Sequence, residues 1–365
     1  MGQIANVQYV VDAINARWGD GTVTPVPGTE KQIANTEFLL RMLDKANEGA
    51  TSFGESQYAT TQIVDDIAVN QAVDTMFVPG ERFVAVGSGG WIVSSFDGIN
   101  WKEGTQIGSD AWQGVAYGNG RWIAVSSTGQ IATSTNGISW TVQEIGGGEI
   151  AWFGVSYGEG SWVAVGNLGQ IATSTDGTTW TIRTIGVYWR HLSEVAFANG
   201  RWVAVGNEGT ITTSTNGTSW FAQTVGNAYT TWQGVAYGNG RWIAVGETGQ
   251  IATSTDGTTW TVIMTSGDAS TTWYGIAHAN GRWVAVGNLS TFFFTSTNGA
   301  AWTVQVVNID TPTSWRGVAY GNGRWIAVSS TGQIATPTNG TSWTVQEIGG
   351  GTNGWLGVAF RGTPR

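Results

Sequence analysis

From Phe83 to Trp343 the chain alternates short apolar runs with small polar turns, and the whole pattern returns about every forty residues. One unit shows its form. Trp232 to Tyr237 is a β-rich run, Asn239-Gly240 turns it, Arg241 to Val245 is a second run, Gln250 to Ser254 a third, and Asp256-Gly257 leads into a fourth over Thr258 to Val262. Asn-Gly and Asp-Gly pairs suit tight hairpins, whose central residues need positive φ. About ten residues per strand and turn leave no room for a crossover helix. Each unit ends in a Ser/Pro-x-Asp/Asn-Gly-x-x-Trp box, with closing tryptophans at Trp101, Trp140, Trp180, Trp220, Trp260, Trp302 and Trp343, spaced 39, 40, 40, 40, 42 and 41 residues apart.

Repeated units of four short antiparallel strands predict an all-β fold, a seven-bladed β-propeller over residues 76–365. The motif of the first strand recurs once more at Val358 to Phe360, after the seventh box is complete, whereas the opening unit offers only Met76-Phe77-Val78 in its place. Trp355 to Phe360 is therefore expected to enter the first blade as its innermost strand, a clasp that removes two sheet edges.

The boxes Ser174 to Trp180 and Ser254 to Trp260 resemble the Asp-box (BNR) repeat of sialidase-like propellers, a likeness that extends over residues 76–360. It implies a turn between the third and fourth strands of each blade, built on Asp97, Asn136, Asp176, Asn216, Asp256, Asn298 and Asn339. Four of these seven are Asn, which makes the same turn-closing hydrogen bonds as Asp, so a structural role is expected. The resemblance also raises sialidase-type glycoside hydrolysis. That chemistry needs an arginine cluster and a Tyr/Glu pair at positions that do not repeat, and the Phe/Tyr-Arg-Ile-Pro motif of the family is absent.

Composition changes the picture in three ways. The 22 Trp and 55 Gly suit wedge-filling aromatics and glycine-punctuated hairpins. The absence of Cys excludes thiol catalysis and thiolate metal sites. The net charge of −9 argues against a phosphate-binding surface, so Arg82, Arg121, Arg201, Arg241, Arg282 and Arg324, which recur after the first turn, are expected to cover the neighbouring blade and not nucleic acid. No metal-ligand spacing and no cofactor motif is present, so neither a metal nor a cofactor is expected.

Residues 1–75 are different material. Gln3 to Asn15 and Gln32 to Asp44 match at an offset of 29 and carry apolar residues at helical spacing, which predicts a small helical segment for oligomerisation or anchoring. The stretch Pro27 to Leu39 resembles segments near the attachment ends of bacteriophage tail-fibre proteins, which implies a virion or baseplate partner. No signal-peptide pattern or spanning helix is legible, so synthesis in the cytosol without membrane insertion is expected, with a phage tail as a destination.

Recognition is expected where the repeats differ, in the links between blades. On that face the inner strands open with Trp112, Trp152, Trp232, Trp273, Trp315 and Trp355, candidates for stacking on sugar rings of a host surface glycan if exposed and for wedge-filling if buried. Tyr188, Trp189, Arg190 and His191, just ahead of Leu192, Ser193 and Glu194, form the least repetitive link and are the other candidates. The function expected is non-catalytic binding, of a lectin-like or receptor-binding kind. A docking propeller for a protein partner is the alternative, and a hydrolase stands third.

Overall fold

The computed structural model describes residues 81–101, 104–146, 148, 150–186, 190–264, 271–288, 291–307, 309, 313–337, 343–348 and 353–362. The chain divides into the units Met1–Gly80 and Glu81–Arg365. The helical segments expected over 1–75, together with Met76 to Val78, lie outside the described residues, as do Tyr188, Trp189 and Asn339.

Glu81–Arg365 holds seven four-stranded antiparallel sheets. Five take their strands in simple order, and so does the sheet of Trp152–Gly158, Ser161–Gly166, Gln170–Ser174 and Thr181–Thr184. The first sheet differs. Its strands Arg82–Gly87, Trp91–Ser95 and Thr105–Gln106 receive Trp355–Arg361 from the far end of the chain as the innermost strand. Phe83 pairs with Phe360 and Ala85 with Val358, and the Phe83 and Phe360 rings lie 4.6 Å apart. Each blade is thus a closed unit, and the first is completed across the two ends of the ring.

The hairpins form because their residues tolerate the required backbone. Asn239 and Gly240 have φ of 49° and 72°, the positive pair that a type I′ turn demands. The core is not one mass but seven wedges between neighbouring sheets. Val203, Val205 and Ile211 of one blade pack on Trp232, Val235 and Trp242 of the next, and the other wedges repeat this with their own members. The recurrent arginines serve the same seams: the Arg121 stem lies against Gly177 of the next blade, and Arg201 and Arg241 lie likewise against Gly257 and Gly299. His278 occupies a position held elsewhere by Tyr or Phe and packs 4.6 Å from Trp283, as Tyr237 packs on Trp242 at 5.1 Å. Burial holds its pKa below the ordinary value.

The box turns are local hydrogen-bond cages. Ser174 Oγ accepts from the Gly177 amide at 2.8 Å and donates to Asp176 Oδ1 at 2.9 Å, while the amides of Thr178 and Thr179 donate to the same Oδ1 at 2.8 and 2.7 Å. Asn216 accepts the equivalent pair from Thr218 and Ser219 at 2.9 Å. The amides of Thr179 and Thr178 hold the Asp176 pKa well below the carboxylate range, and Thr259 and Thr258 do so for Asp256. At Asp97 burial opposes ionisation, but the amides of Asn100 and Ile99 outweigh it and the pKa is again lowered.

A depressed carboxylate pKa adds stability above the unfolded value near 3.8, and that stability is lost as pH falls below it. Replacing Asp176 and Asp256 together with Asn is therefore expected to shift the melting temperature at neutral pH by less than about 3 °C and to flatten the loss of stability below about pH 4. Thermal melts from acid to neutral pH check this. A large neutral-pH loss would mean that the charge, and not the turn geometry, holds the box together.

Candidate functional site at the channel mouth

Each inner strand carries the same irregularity. In the fifth blade Trp232 pairs with Gly246 and Gly234 with Val245, so Gln233 has no partner across the ladder. This is a β-bulge, which redirects one side chain and leaves its residue outside the pairing. The register slips at the equivalent place in every blade, and the bulged residues are Gln113, Phe153, Ser193, Gln233, Tyr274, Arg316 and Leu356.

These seven residues converge. All of them line one cavity of about 260 Å³, together with His191 and Glu194. An adjoining cavity of about 160 Å³ shares Gln113, Glu194, Tyr274, Arg316 and Leu356 with it and is otherwise walled by glycines and by Val or Ile. The glycines are required there: a Cβ on Gly114 would lie 2.6 Å from the Phe153 carbonyl oxygen, and one on Gly234 would lie 2.8 Å from that of Tyr274. Close approach of neighbouring inner strands narrows the passage to backbone, and Glu194 is the single side chain longer than glycine at this level of the ring.

The electrostatics follow from that enclosure. Glu194 is surrounded by protein while keeping partial access to the cavity, and its Oε1 accepts one hydrogen bond, from the Val195 amide at 2.9 Å. Burial pushes its pKa up to about 7, against the lowering effect of that bond. The Arg316 guanidinium lies 4.0 Å above the Tyr274 ring, in cation–π geometry, and its buried Nε has no hydrogen-bond partner. The site thus offers a cation, a carboxyl group whose pKa is raised to about 7, two amides, two hydroxyls, an imidazole and the rings of Phe153 and Tyr274. Among the described residues no group of three or more His, Asp or Glu could hold a metal ion.

Two expectations about this face are corrected. The inner-strand tryptophans are not stacking platforms: Trp112, Trp152, Trp232, Trp315 and Trp355 are 0% exposed and Trp273 is 1%. Each begins its strand beside a variable link, yet its indole turns into the wedge between blades, where it excludes water and cannot meet a ligand. Arg190 does not enter the cavity either. It donates from Nη1 to Thr210 Oγ1 at 2.8 Å and pairs through Nε with Glu208 at 3.5 Å. Of the described candidates only His191 borders the mouth, with its ring 6.4 Å from that of Phe153.

The residue after each leading tryptophan is the sequence signal of this site. It takes Gln, Phe, Gln, Tyr, Arg and Leu in the six units that keep Trp-x-Gly, while its neighbours barely change.

Comparison with known proteins places the fold alone. Streptogramin B lyase superposes with a TM-score of 0.63 at 12% identity, over 77% of this chain and 92% of that one. Virginiamycin B lyase from Staphylococcus aureus gives 0.59 at 14% identity, over 65% and 84%. YCF48 bound to D1 peptide gives 0.53 at 16%, over 65% and 81%. The chain is a seven-bladed β-propeller. No family model and no curated protein sequence matches it, and neither the Asp-box likeness nor the tail-fibre likeness finds support in these comparisons.

Proposed function

We propose that this propeller is a non-catalytic recognition protein that takes its ligand at the mouth of the central channel, and that the ligand is a saccharide of a host surface. One observation carries the reading: seven bulges of one repeated framework deliver non-repeating side chains to one cavity. A repeated structural role would keep one residue type, as the flanking Trp and Gly do. The amides of Gln113 and Gln233, the Ser193 hydroxyl and the Phe153 ring supply the mixture of hydrogen bonds and apolar face that sugars require.

Docking of a protein is the second reading, favoured by a different observation. Tyr229, in the link 226–230, is 92% exposed and its amide is fixed by a 2.9 Å bond to Asn227 Oδ1. An ordered, exposed Tyr is a common anchor for a protein partner, and YCF48, of similar fold, binds the D1 peptide.

A glycan array probed with the full chain tests the choice. The proposal expects binding in the micromolar-to-millimolar range, weakened at least about tenfold by Gln113→Ala with Gln233→Ala and unchanged by Tyr229→Ala. Loss of binding with Tyr229→Ala and none with the glutamine pair would move recognition from the channel to the links.

A further inference from the structure

The bulge residues differ in charge as well as in shape. Among the described residues lining the larger cavity, Arg316 is the permanent cation and Glu194 the carboxyl group, and no ion pair joins them. Arg316 has already lost water at its Nε without gaining a partner there, although Tyr274 supports its flat face. A buried donor without an acceptor is costly, and a planar guanidinium matches a carboxylate through two parallel hydrogen bonds. Glu194 has one hydrogen bond and room for more.

We propose that the channel mouth is a carboxylate site for a sugar acid of the uronic type, with Arg316 receiving the carboxylate and Glu194, in its carboxylic acid form, donating a hydrogen bond to the same ligand. The inference rests on the saccharide reading above. One guanidinium matches a single negative charge, and a doubly charged phosphate would be left half compensated beside a carboxyl group. The cavity, about 260 Å³, admits one ring and little more.

Protonation sets the sign of the pH dependence. Glu194 has a pKa raised to about 7, so it is a neutral donor in mild acid and an anion that repels the ligand in mild base. The other titratable groups at the cavity are His191 at its rim, Tyr274 and Arg316; the inner strands contributing Gln113, Phe153, Gln233 and Leu356 add none to its lining. The Glu194 variant isolates the contribution of this carboxyl group from that of the other groups at the cavity.

The test is an NMR titration of the full chain with glucuronate, its neutral amide glucuronamide, and N-acetylaspartate, at about pH 5.5 and about pH 8.5. Glucuronate should bind at least about tenfold more tightly than glucuronamide at the lower pH, and that preference should fall at least about fivefold at the higher. Arg316→Gln should abolish the preference, and Glu194→Gln should make it nearly equal at the two pH values. Equal binding of the acid and the amide removes the carboxylate anchor and leaves the saccharide reading in place. Binding of neither sugar overturns both, and tighter binding of N-acetylaspartate than of glucuronate assigns the site to protein acids and overturns the proposal. If Arg316→Gln fails to fold, the acid–amide comparison in the unaltered protein and the pH profile of Glu194→Gln still decide it.

Discussion

Removal of residues 351–365 is expected to lower the melting temperature of the propeller by more than about 10 °C. The segment supplies the innermost strand of the first blade, and without it Arg82–Gly87 becomes an open edge facing the channel. Three losses combine. Trp355, fully buried, sits in the wedge with Ile326, Val328 and Ile334 of the seventh blade. Burial of one such indole is worth up to about 4–6 kcal/mol, from about 150–250 Å² at about 25 cal/mol per Å², and this is an upper figure. Phe360 leaves the Phe83 ring, and the ladder between the two strands, running from Arg82 with Arg361 to Gly87 with Trp355, is unmade. A domain of this size shifts its melting point by about 2 °C for each kcal/mol. Calorimetry of the full and shortened chains makes the comparison. A melting temperature unchanged within a few degrees would mean that the ring holds without its closure.

Trp232→Ala is expected to cost about 3–5 kcal/mol of unfolding free energy, the usual penalty for emptying a packed aromatic site. Its indole lies among Val203, Val205 and Ile211 of the blade before it, and its Nε1 donates to the Val225 carbonyl at 3.1 Å. The change leaves both a cavity and an unsatisfied carbonyl. Trp152 makes a useful contrast, because it is equally buried but its Nε1 has no partner. Trp152→Phe should therefore cost less than Trp232→Phe, by about 1 kcal/mol, the net worth of one hydrogen bond. Urea denaturation of the three variants checks both statements. A cost below about 1 kcal/mol for Trp232→Ala, with loss of ligand binding, would return these tryptophans to the surface role that their burial denies them.

Blade number and strand order were legible because each repeat carries its own turn chemistry. Asn239-Gly240 and Asp256-Gly257 announce hairpins whatever surrounds them, and the surplus copy at Val358 to Phe360 left one inner strand without a unit of its own. The box residues were legible for the same reason, since Asn and Asp interchange there and what they share is an acceptor oxygen for the turn's own donors.

The site was harder to read. A bulge has no fixed residue type, and Trp-x-Gly-Val is equally compatible with unbroken pairing, so nothing in the local pattern says that Gln233 or Arg316 leaves the ladder. The direction of the tryptophans depends on the wedge between two blades, a contact between residues about forty positions apart that periodicity within one unit does not encode. Glu194 stood in the segment singled out from the sequence, but its raised pKa comes from the enclosure made by other strands. In the sequence, Tyr274 and Arg316 look like ordinary variation at one position of a repeat.

On the function proposed, the non-repeating residues of the bulges, and not the outer edges of the blades, hold the ligand. A crystal structure of the full chain with the tightest-binding array saccharide tests it most directly. The sugar is expected at the channel mouth, in contact with Gln113, Tyr274 and Arg316. A sugar seated instead on the outer strands, at exposed positions such as Phe221 or Val306, would contradict it.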